Sequence, residues 1–254
     1  MLILKNPHSV LAVLKNRPKD LKKLVLPEEK TLSDGWELVL QEAKKNQIRI
    51  HSPQSVKASD RSPDRSHDRS QDRGAGRFGL CEAEVLEKQP VELSSLFESV
   101  SEDKPGLWLA LDCIQDPQNL GALFRLAGFF GVRGILMTQD RSAALTSTVY
   151  DVASGGVECV PFAQEVNLSR AFEEVKEAGL WILGTSEHET NSLFKQKFDR
   201  NWMICVGNEE KGLRRLTLDR CDVTVGIPAF GPIPSLNVAT AAATALTYFV
   251  QQKA

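Results

Sequence analysis

The sequence offers almost nothing for a metal or a disulfide to hold. Its five cysteines, Cys81, Cys113, Cys159, Cys205 and Cys221, include no C-x-x-C pair, and the four histidines, His8, His51, His67 and His188, are equally dispersed. No zinc site and no disulfide framework is suggested, so each cysteine reads as a small buried hydrophobe in a reducing compartment. No apolar run approaches the ~20 residues of a membrane helix, and the N-terminus has no apolar core followed by a small-residue cleavage site. A soluble, cytoplasmic protein without membrane contact is expected. Nucleotide signatures are missing too. There is no G-x-G-x-x-G after a first strand and no G-x-x-x-x-G-K-[ST], which disfavours dinucleotide and P-loop readings.

What is present is a chain of two characters. At 254 residues with 42% hydrophobic side chains it can form one large or two ordinary domains with a real core. The formal charge of -2 hides an asymmetry, because residues 1–59 hold 11 Lys/Arg against 6 Asp/Glu and residues 74–254 hold 16 against 23. Lys15, Arg17, Lys19, Lys22 and Lys23, with Lys44, Lys45 and Arg49, form basic clusters suited to a polyanion, although a solvated helical face gives the same pattern. Residues 60–73 repeat Asp-Arg-Ser with no apolar side chain and read as a flexible insert, placed at about 57–76, that buries too little to offset ordering.

Periodicity ahead of that insert predicts a helix ending near Leu14, a strand at Leu24 to Leu26, a helix from Gly35 to Lys45 with Trp36, Val39, Leu40 and Ala43 on one face, and a strand at Ile48 to Ile50. The segment from Leu80 to Val85 is expected to return to the same sheet, giving a small α/β domain over residues 1–93. Residues 94–106, polar, acidic and ending in Pro105-Gly106, read as a linker. From Leu107 onward, apolar strands alternate with helices, which predicts a mainly parallel sheet covered on both faces over residues 107–254. Ligands of such sheets sit beyond the carboxyl ends of the strands.

Three of those strand ends carry unusual polar clusters. The last is the most distinctive: Ile227-Pro228-Ala229-Phe230-Gly231-Pro232-Ile233-Pro234-Ser235-Leu236-Asn237 runs into an Ala/Thr-rich helix expected to begin at Ser235, its N-cap. A loop of this kind gathers exposed backbone donors at a helix mouth, where anionic and polar ligands bind.

Together the three clusters resemble the SpoU (TrmH) family of RNA ribose 2'-O-methyltransferases, of the SPOUT class. The matching residues are Asp116-Pro117-Gln118-Asn119-Leu120-Gly121 with Arg125 and Ala127, Gly207-Asn208-Glu209 with Gly212-Leu213, and Ile227-Pro228 with Ser235-Leu236-Asn237-Val238. The resemblance covers residues 107–250 and implies a sheet whose C-terminal segment is threaded into a deep trefoil knot. The front of the chain is similar to the substrate-binding domain, related to ribosomal protein L30e, that precedes the catalytic domain in ribosomal RNA members. It departs from that pattern at Arg77-Phe78-Gly79-Leu80, where a His-Gln-Gly-Val segment is usual.

The resemblance implies S-adenosyl-L-methionine as cofactor, held by Thr185, Gly207, Ile227 and Leu236, and RNA as substrate, with a guanosine of large-subunit ribosomal RNA expected. A transfer RNA or resistance-type enzyme, or a non-catalytic ribosome assembly factor, are the alternatives. The family makes Arg125 the residue acting on the ribose 2'-hydroxyl. Because a guanidinium keeps its proton beyond pH ~12, phosphate pairing and stabilisation of the developing alkoxide suit it better than free base chemistry. Asn119 and Asn237 are expected to place amides beside methyl donor and ribose, with Glu209 fixing one of them, while Ser235 either bonds substrate phosphate or caps the helix. Displacement at a sulfonium-bound methyl needs no metal. A homodimer is implied as well, and Ala239, Ala241, Ala242, Ala243 and Ala245 would allow close helix approach at its interface.

Overall fold

The computed structural model describes residues 1–53 and 81–253. The tetrapeptide repeat and Arg77 to Leu80 lie outside the described residues. The chain forms two compact units, Met1–Glu87 and Lys88–Ala254.

The first unit contains β1 (Leu2–Leu4), α1 (Pro7–Asn16), β2 (Leu21–Val25), α2 (Asp34–Lys45), β3 (Ile50–His51) and β4 (Glu82–Val85). Asn6 caps α1 by accepting from the His8 amide at 2.9 Å, and Pro7 follows at the first helical position, where its missing N–H is no loss. Val10, Val13 and Leu14 of α1 are buried, and Trp36, Val39, Leu40 and Ala43 of α2 bury the face expected from their spacing. The sheet order is β1-β4-β2-β3, with β4 antiparallel to both its neighbours and β2 parallel to β3. Chain leaving the undescribed segment therefore re-enters the middle of the same sheet. On the surface, Arg17, Lys23, Lys44 and Lys45 pair with Asp20, Glu84, Glu29 and Glu42. Lys15, Lys19 and Lys22 are exposed and form no ion pair among the described residues.

The second unit holds β5 (Leu107–Leu111), α3 (Pro117–Phe130), β6 (Ile135–Thr138), α4 (Ser147–Ala153), α5 (Gly156–Cys159), β7 (Phe162–Glu165), α6 (Leu168–Glu177), β8 (Trp181–Thr185), β9 (Trp202–Val206), α7 (Arg215–Leu218), β10 (Val223–Val225) and α8 (Val238–Gln251). Its six strands are all parallel, in the order β10-β8-β9-β5-β6-β7. Every residue of β5, β6 and β9 is buried, as a strand covered on both faces requires. Among the described residues no helix is long and apolar enough to cross a membrane.

Besides small shifts, such as β2 at Leu21–Val25 and β3 at Ile50–His51, two boundaries differ from the sequence reading. The division between units falls at Glu87/Lys88, ahead of the segment read as a linker at 94–106. Leu93, Leu96 and Phe97 sit on a short 3-10 turn and join the core cluster around Trp108, Phe172 and Met203, and Trp108 donates its indole N–H to the Leu96 carbonyl at 2.8 Å. The last helix starts at Val238, three residues later than expected. Its cap is Asn237, whose Oδ1 accepts from the Ala239 amide at 2.9 Å, so Ser235 is not the N-cap.

Candidate active site

Register decides which residues meet. β8, β9 and β5 lie side by side, with Leu111 opposite Val206 and Gly184 opposite Cys205, so their carboxyl ends open along one edge. The chain leaving β8, the loop after β9 and the stretch 227–236 beyond β10 close there around a cavity of about 550 Å3. That size falls within the ~300–1,000 Å3 usual for a small-molecule site. Val206, Leu213, Leu218, Ile227 and Leu236 supply apolar wall, and Thr185, Glu187 and Glu209 supply polar groups. An amphiphilic ligand with an aromatic ring and a charged tail fits such a lining.

All four positions expected to hold the cofactor, Thr185, Gly207, Ile227 and Leu236, line this cavity, as do Glu209 and Ser235. Thr185 also donates its hydroxyl to the Cys205 carbonyl at 3.1 Å, which ties the end of β8 to β9. Gly207 is glycine for a closer reason than ligand approach. A Cβ there would lie 2.2 Å from the Gly212 carbonyl carbon and 2.3 Å from the Leu213 nitrogen, because the loop after β9 folds back onto its own start.

Asn119 in the first turn of α3, Asn237 at the cap of α8 and Glu209 in the loop after β9 form one relay. Asn237 donates through Nδ2 to Asn119 Oδ1 at 2.8 Å, and Asn119 donates through Nδ2 to Glu209 Oε1 at 2.9 Å. The helix that carries Asn119 is set by Asp116, which accepts from the Gln118 amide at 2.9 Å, and by Pro117 at its first position. Gly121 lets α3 press on α4, since a Cβ there would lie 2.7 Å from Val152 Cβ. α8 packs on α3 with Ala242 and Ala245 buried between them and the sheet, so part of the alanine stripe is used within the chain.

Arg125 does not join this group. It follows Asn119 by six residues, which turns it about 120° around α3. Its side chain is exposed, engages no hydrogen bond or ion pair among the described residues, and does not line the cavity. Phe129, one turn further on, is 81% exposed.

Sequence reading passed over Asp112 and Arg214. Asp112 is 0% exposed and is met by Arg214 at 2.7 Å, directly beside the cavity loop. The signal was a lone carboxylate ending an apolar strand. The neighbouring thiol of Cys113 is pushed up, first by burial and then by the Asp112 carboxylate, which keeps it protonated and unsuited to nucleophilic work.

This geometry defines a class: an α/β protein with a small-molecule cavity at the carboxyl edge of a parallel sheet, preceded by a small mixed-sheet unit. Residues 106–247 match the model of the SpoU rRNA Methylase family, and the chain belongs to that family. It is 35% identical over 246 residues to the 23S rRNA (guanosine-2'-O-)-methyltransferase RlmB of Neisseria meningitidis serogroup B, covering 97% of this chain and 93% of that protein. The RlmB of Pseudomonas putida is 31% identical over 250 residues, 97% of this chain and 94% of the relative. Among solved structures, the SpoU methyltransferase AviRb from Streptomyces viridochromogenes superposes with a TM-score of 0.75 over 99% of this chain and 89% of that one. At 20% identity that likeness is one of fold.

Proposed function

We propose that this chain is an S-adenosylmethionine-dependent RNA ribose 2'-O-methyltransferase acting on a guanosine of 23S ribosomal RNA. The observation that carries the reading is the convergence of Thr185, Gly207, Ile227 and Leu236, from three strand ends, on one cavity. Similarity to the RlmB proteins along nearly the whole chain supports the choice of RNA and base.

S-adenosylmethionine, when bound, supplies a methyl group activated by a positively charged sulfur. The chain's own work is to align and to polarise. Ile227 and Leu236 form apolar wall for the adenine, and the backbone at Gly207 and the Thr185 end of β8 hold the polar parts. Asn119 and Asn237, locked through Glu209, keep the mouth of the cavity in one arrangement, which lowers the entropic part of the barrier. Arg125 pairs with an RNA phosphate, orients the ribose and stabilises the negative charge that develops on the 2'-oxygen.

Arg125 reaches the reaction in a second copy's site, so the working unit is a homodimer. Support comes from its exposed place on α3 beside Phe129 and from the exposed apolar side chains of the cavity rim, Phe230 at 97% and Ile233 at 71%. The C-terminal segment is threaded as the family's trefoil knot, a reading supported by β9 lying between β5 and β8. The first unit binds the RNA as an L30e-like domain, with Lys15, Lys19 and Lys22 facing solvent for phosphate contact.

The test is transfer of labelled methyl to 23S rRNA and to total transfer RNA, followed by mapping of the modified ribose. A single 2'-O-methylguanosine in 23S rRNA is expected. Modification of transfer RNA alone would reassign the substrate, and no transfer to any RNA, with no cofactor binding, would favour an assembly factor.

A further inference from the structure

The loop from Asn208 to Arg214 is fastened at both ends to two consecutive residues at the carboxyl end of β5. Asp112 offers both carboxylate oxygens to Arg214: Oδ2 accepts from the Arg214 backbone amide at 3.0 Å, and Oδ1 accepts from its Nε at 2.7 Å. Cys113 turns into the left-handed region at φ 59°, a conformation that is unfavourable for a residue with a side chain. That turn is held by a hydrogen bond from the Cys113 amide to Thr138 Oγ1 at 2.9 Å, and the Cys113 carbonyl accepts from Asn208 Nδ2 at 3.1 Å.

Between these anchors the loop is closed on itself. Asn208 and Gly212 exchange backbone hydrogen bonds at 3.0 and 2.9 Å, and Asn208 Oδ1 accepts from the amides of Glu210 and Lys211 at 3.1 and 3.2 Å. The result is a small rigid turn gripped at both ends. It forms one wall of the cavity, and Glu209 projects from it to Asn119.

Stability alone is a poor reason for this arrangement. Burying a carboxylate carries a large desolvation penalty, which a single partner offsets only with good geometry. Arg214 is 40% exposed in its side chain, and a well-packed apolar pair would hold β5 to the loop equally well. What an apolar pair lacks is direction. The Asp112 carboxylate fixes both a peptide plane and a guanidinium, and so fixes the angle at which the chain leaves the cavity wall.

We propose that Asp112 and Arg214, together with the Cys113 carbonyl and Asn208, are positioning residues that preform the cofactor wall, so that S-adenosylmethionine binds without ordering the loop. The proposal rests on the cavity being the cofactor site. A ligand that finds its wall already built loses less binding energy to ordering, and removing the clamp should appear in affinity before it appears in chemistry.

The experiment compares wild type, Arg214→Ala, Arg214→Lys and Asp112→Asn, all as the full chain, by calorimetric titration with S-adenosylmethionine, by steady-state kinetics and by hydrogen exchange of the 208–214 amides. Arg214→Ala is expected to weaken cofactor binding and raise the cofactor KM by about tenfold or more, with kcat at saturating cofactor within about threefold. Its 208–214 amides should exchange faster in the absence of ligand, and Arg214→Lys should recover part of the affinity. Should Asp112→Asn fail to fold, the partly exposed Arg214 still carries the test. Unchanged affinity and unchanged exchange in Arg214→Ala would overturn the proposal, as would equal losses in kcat and affinity without recovery in Arg214→Lys. Wild type that binds no S-adenosylmethionine would instead remove the cavity reading beneath it, a result visible before any variant is made.

Discussion

An Asn119→Asp substitution preserves the shape of the side chain and reverses one contact of the amide relay. The Nδ2 that donates to Glu209 Oε1 at 2.9 Å becomes a carboxylate oxygen facing another. Two unit charges at that separation repel by about 6 kcal/mol at an effective dielectric constant of ~20 and by about 1.4 kcal/mol in bulk water. Asn119 is buried but Glu209 is exposed, so screening brings the repulsion toward the lower end, about 2 kcal/mol. Loss of a hydrogen bond to a charged acceptor adds roughly 1–2 kcal/mol. For a unit of this size each kcal/mol moves Tm by about 2–4 °C, so the variant should melt roughly 6–15 °C below wild type at pH 8.

The sign of the pH dependence separates repulsion from simple loss of a contact. Repulsion raises the folded-state pKa of the variant's carboxyl pair above its unfolded value. With the folded pKa raised, the penalty is full above it, shrinks as pH falls through it, and is gone below the unfolded value. The Tm gap to wild type should therefore narrow by about a third between pH 8 and pH 4.5. Asn119→Ala introduces no charge, and its gap should stay flat. The assay is differential scanning calorimetry of the three proteins across that range. Parallel pH curves for the two variants, or an Asp variant as stable as wild type at pH 8, would refute the contact between Asn119 and Glu209.

Three further outcomes follow from the same geometry. Gly207→Ala drives a Cβ into the Gly212–Leu213 backbone, with 2.2 Å to the nearest atom, and backbone cannot step aside as a side chain can. S-adenosylmethionine affinity measured by calorimetry should fall about 100-fold or more while far-UV circular dichroism stays native, and retained affinity would mean that the loop is free to move. Arg125→Ala removes an exposed side chain, so Tm should stay within about 1 °C while methyl transfer drops about 100-fold or more, and near-normal turnover would exclude Arg125 from the mechanism. Burial, the largest cause, pushes the Cys221 thiol up to about 12 and raises that of Cys205 well above the ordinary range, whereas Cys159 is exposed. At pH 8 only about 10⁻⁴ of Cys221 is thiolate, so iodoacetamide followed by peptide mapping should find Cys159 modified first, and equal labelling of all three in the native protein would contradict the burial.

Local signals marked the elements well. Pro7 and Pro117 stand at helix starts, Trp36, Val39, Leu40 and Ala43 recur at helical spacing, and the unbroken apolar runs of β5 and β9 announce strands covered on both faces. The three motif loops could be seen to fall at strand ends, which is enough to bring Thr185, Gly207, Ile227 and Leu236 to one edge of the sheet. Misreadings arose where a local rule competed with a contact far along the chain. Ser235 is a good cap by composition, but Asn237 takes the position because its amide is also held by Asn119, 118 residues away. The stretch 94–106 looks like a linker by its charge, yet Leu93, Leu96 and Phe97 are fixed by a core that gathers strands and helices from later in the chain.

The same distinction explains which parts of the site stayed hidden. Residue type announces capability: a carboxylate can accept, an amide can do both, a guanidinium can donate in two directions. Geometry is carried by hydrogen bonds between residues 90 to 118 positions apart: Asn119 to Glu209, Asn208 to Cys113, Arg214 to Asp112, and Asn237 to Asn119. Each joins segments far apart in the chain, three of them across the neighbouring ends of β5 and β9, and a periodicity of two or 3.6 residues contains no trace of that neighbourhood. Arg125 follows the same logic one level further out. Its helix and its exposure are local facts, while the phosphate and second copy proposed to give it work lie outside a single chain, so no contact within the fold could have announced that role.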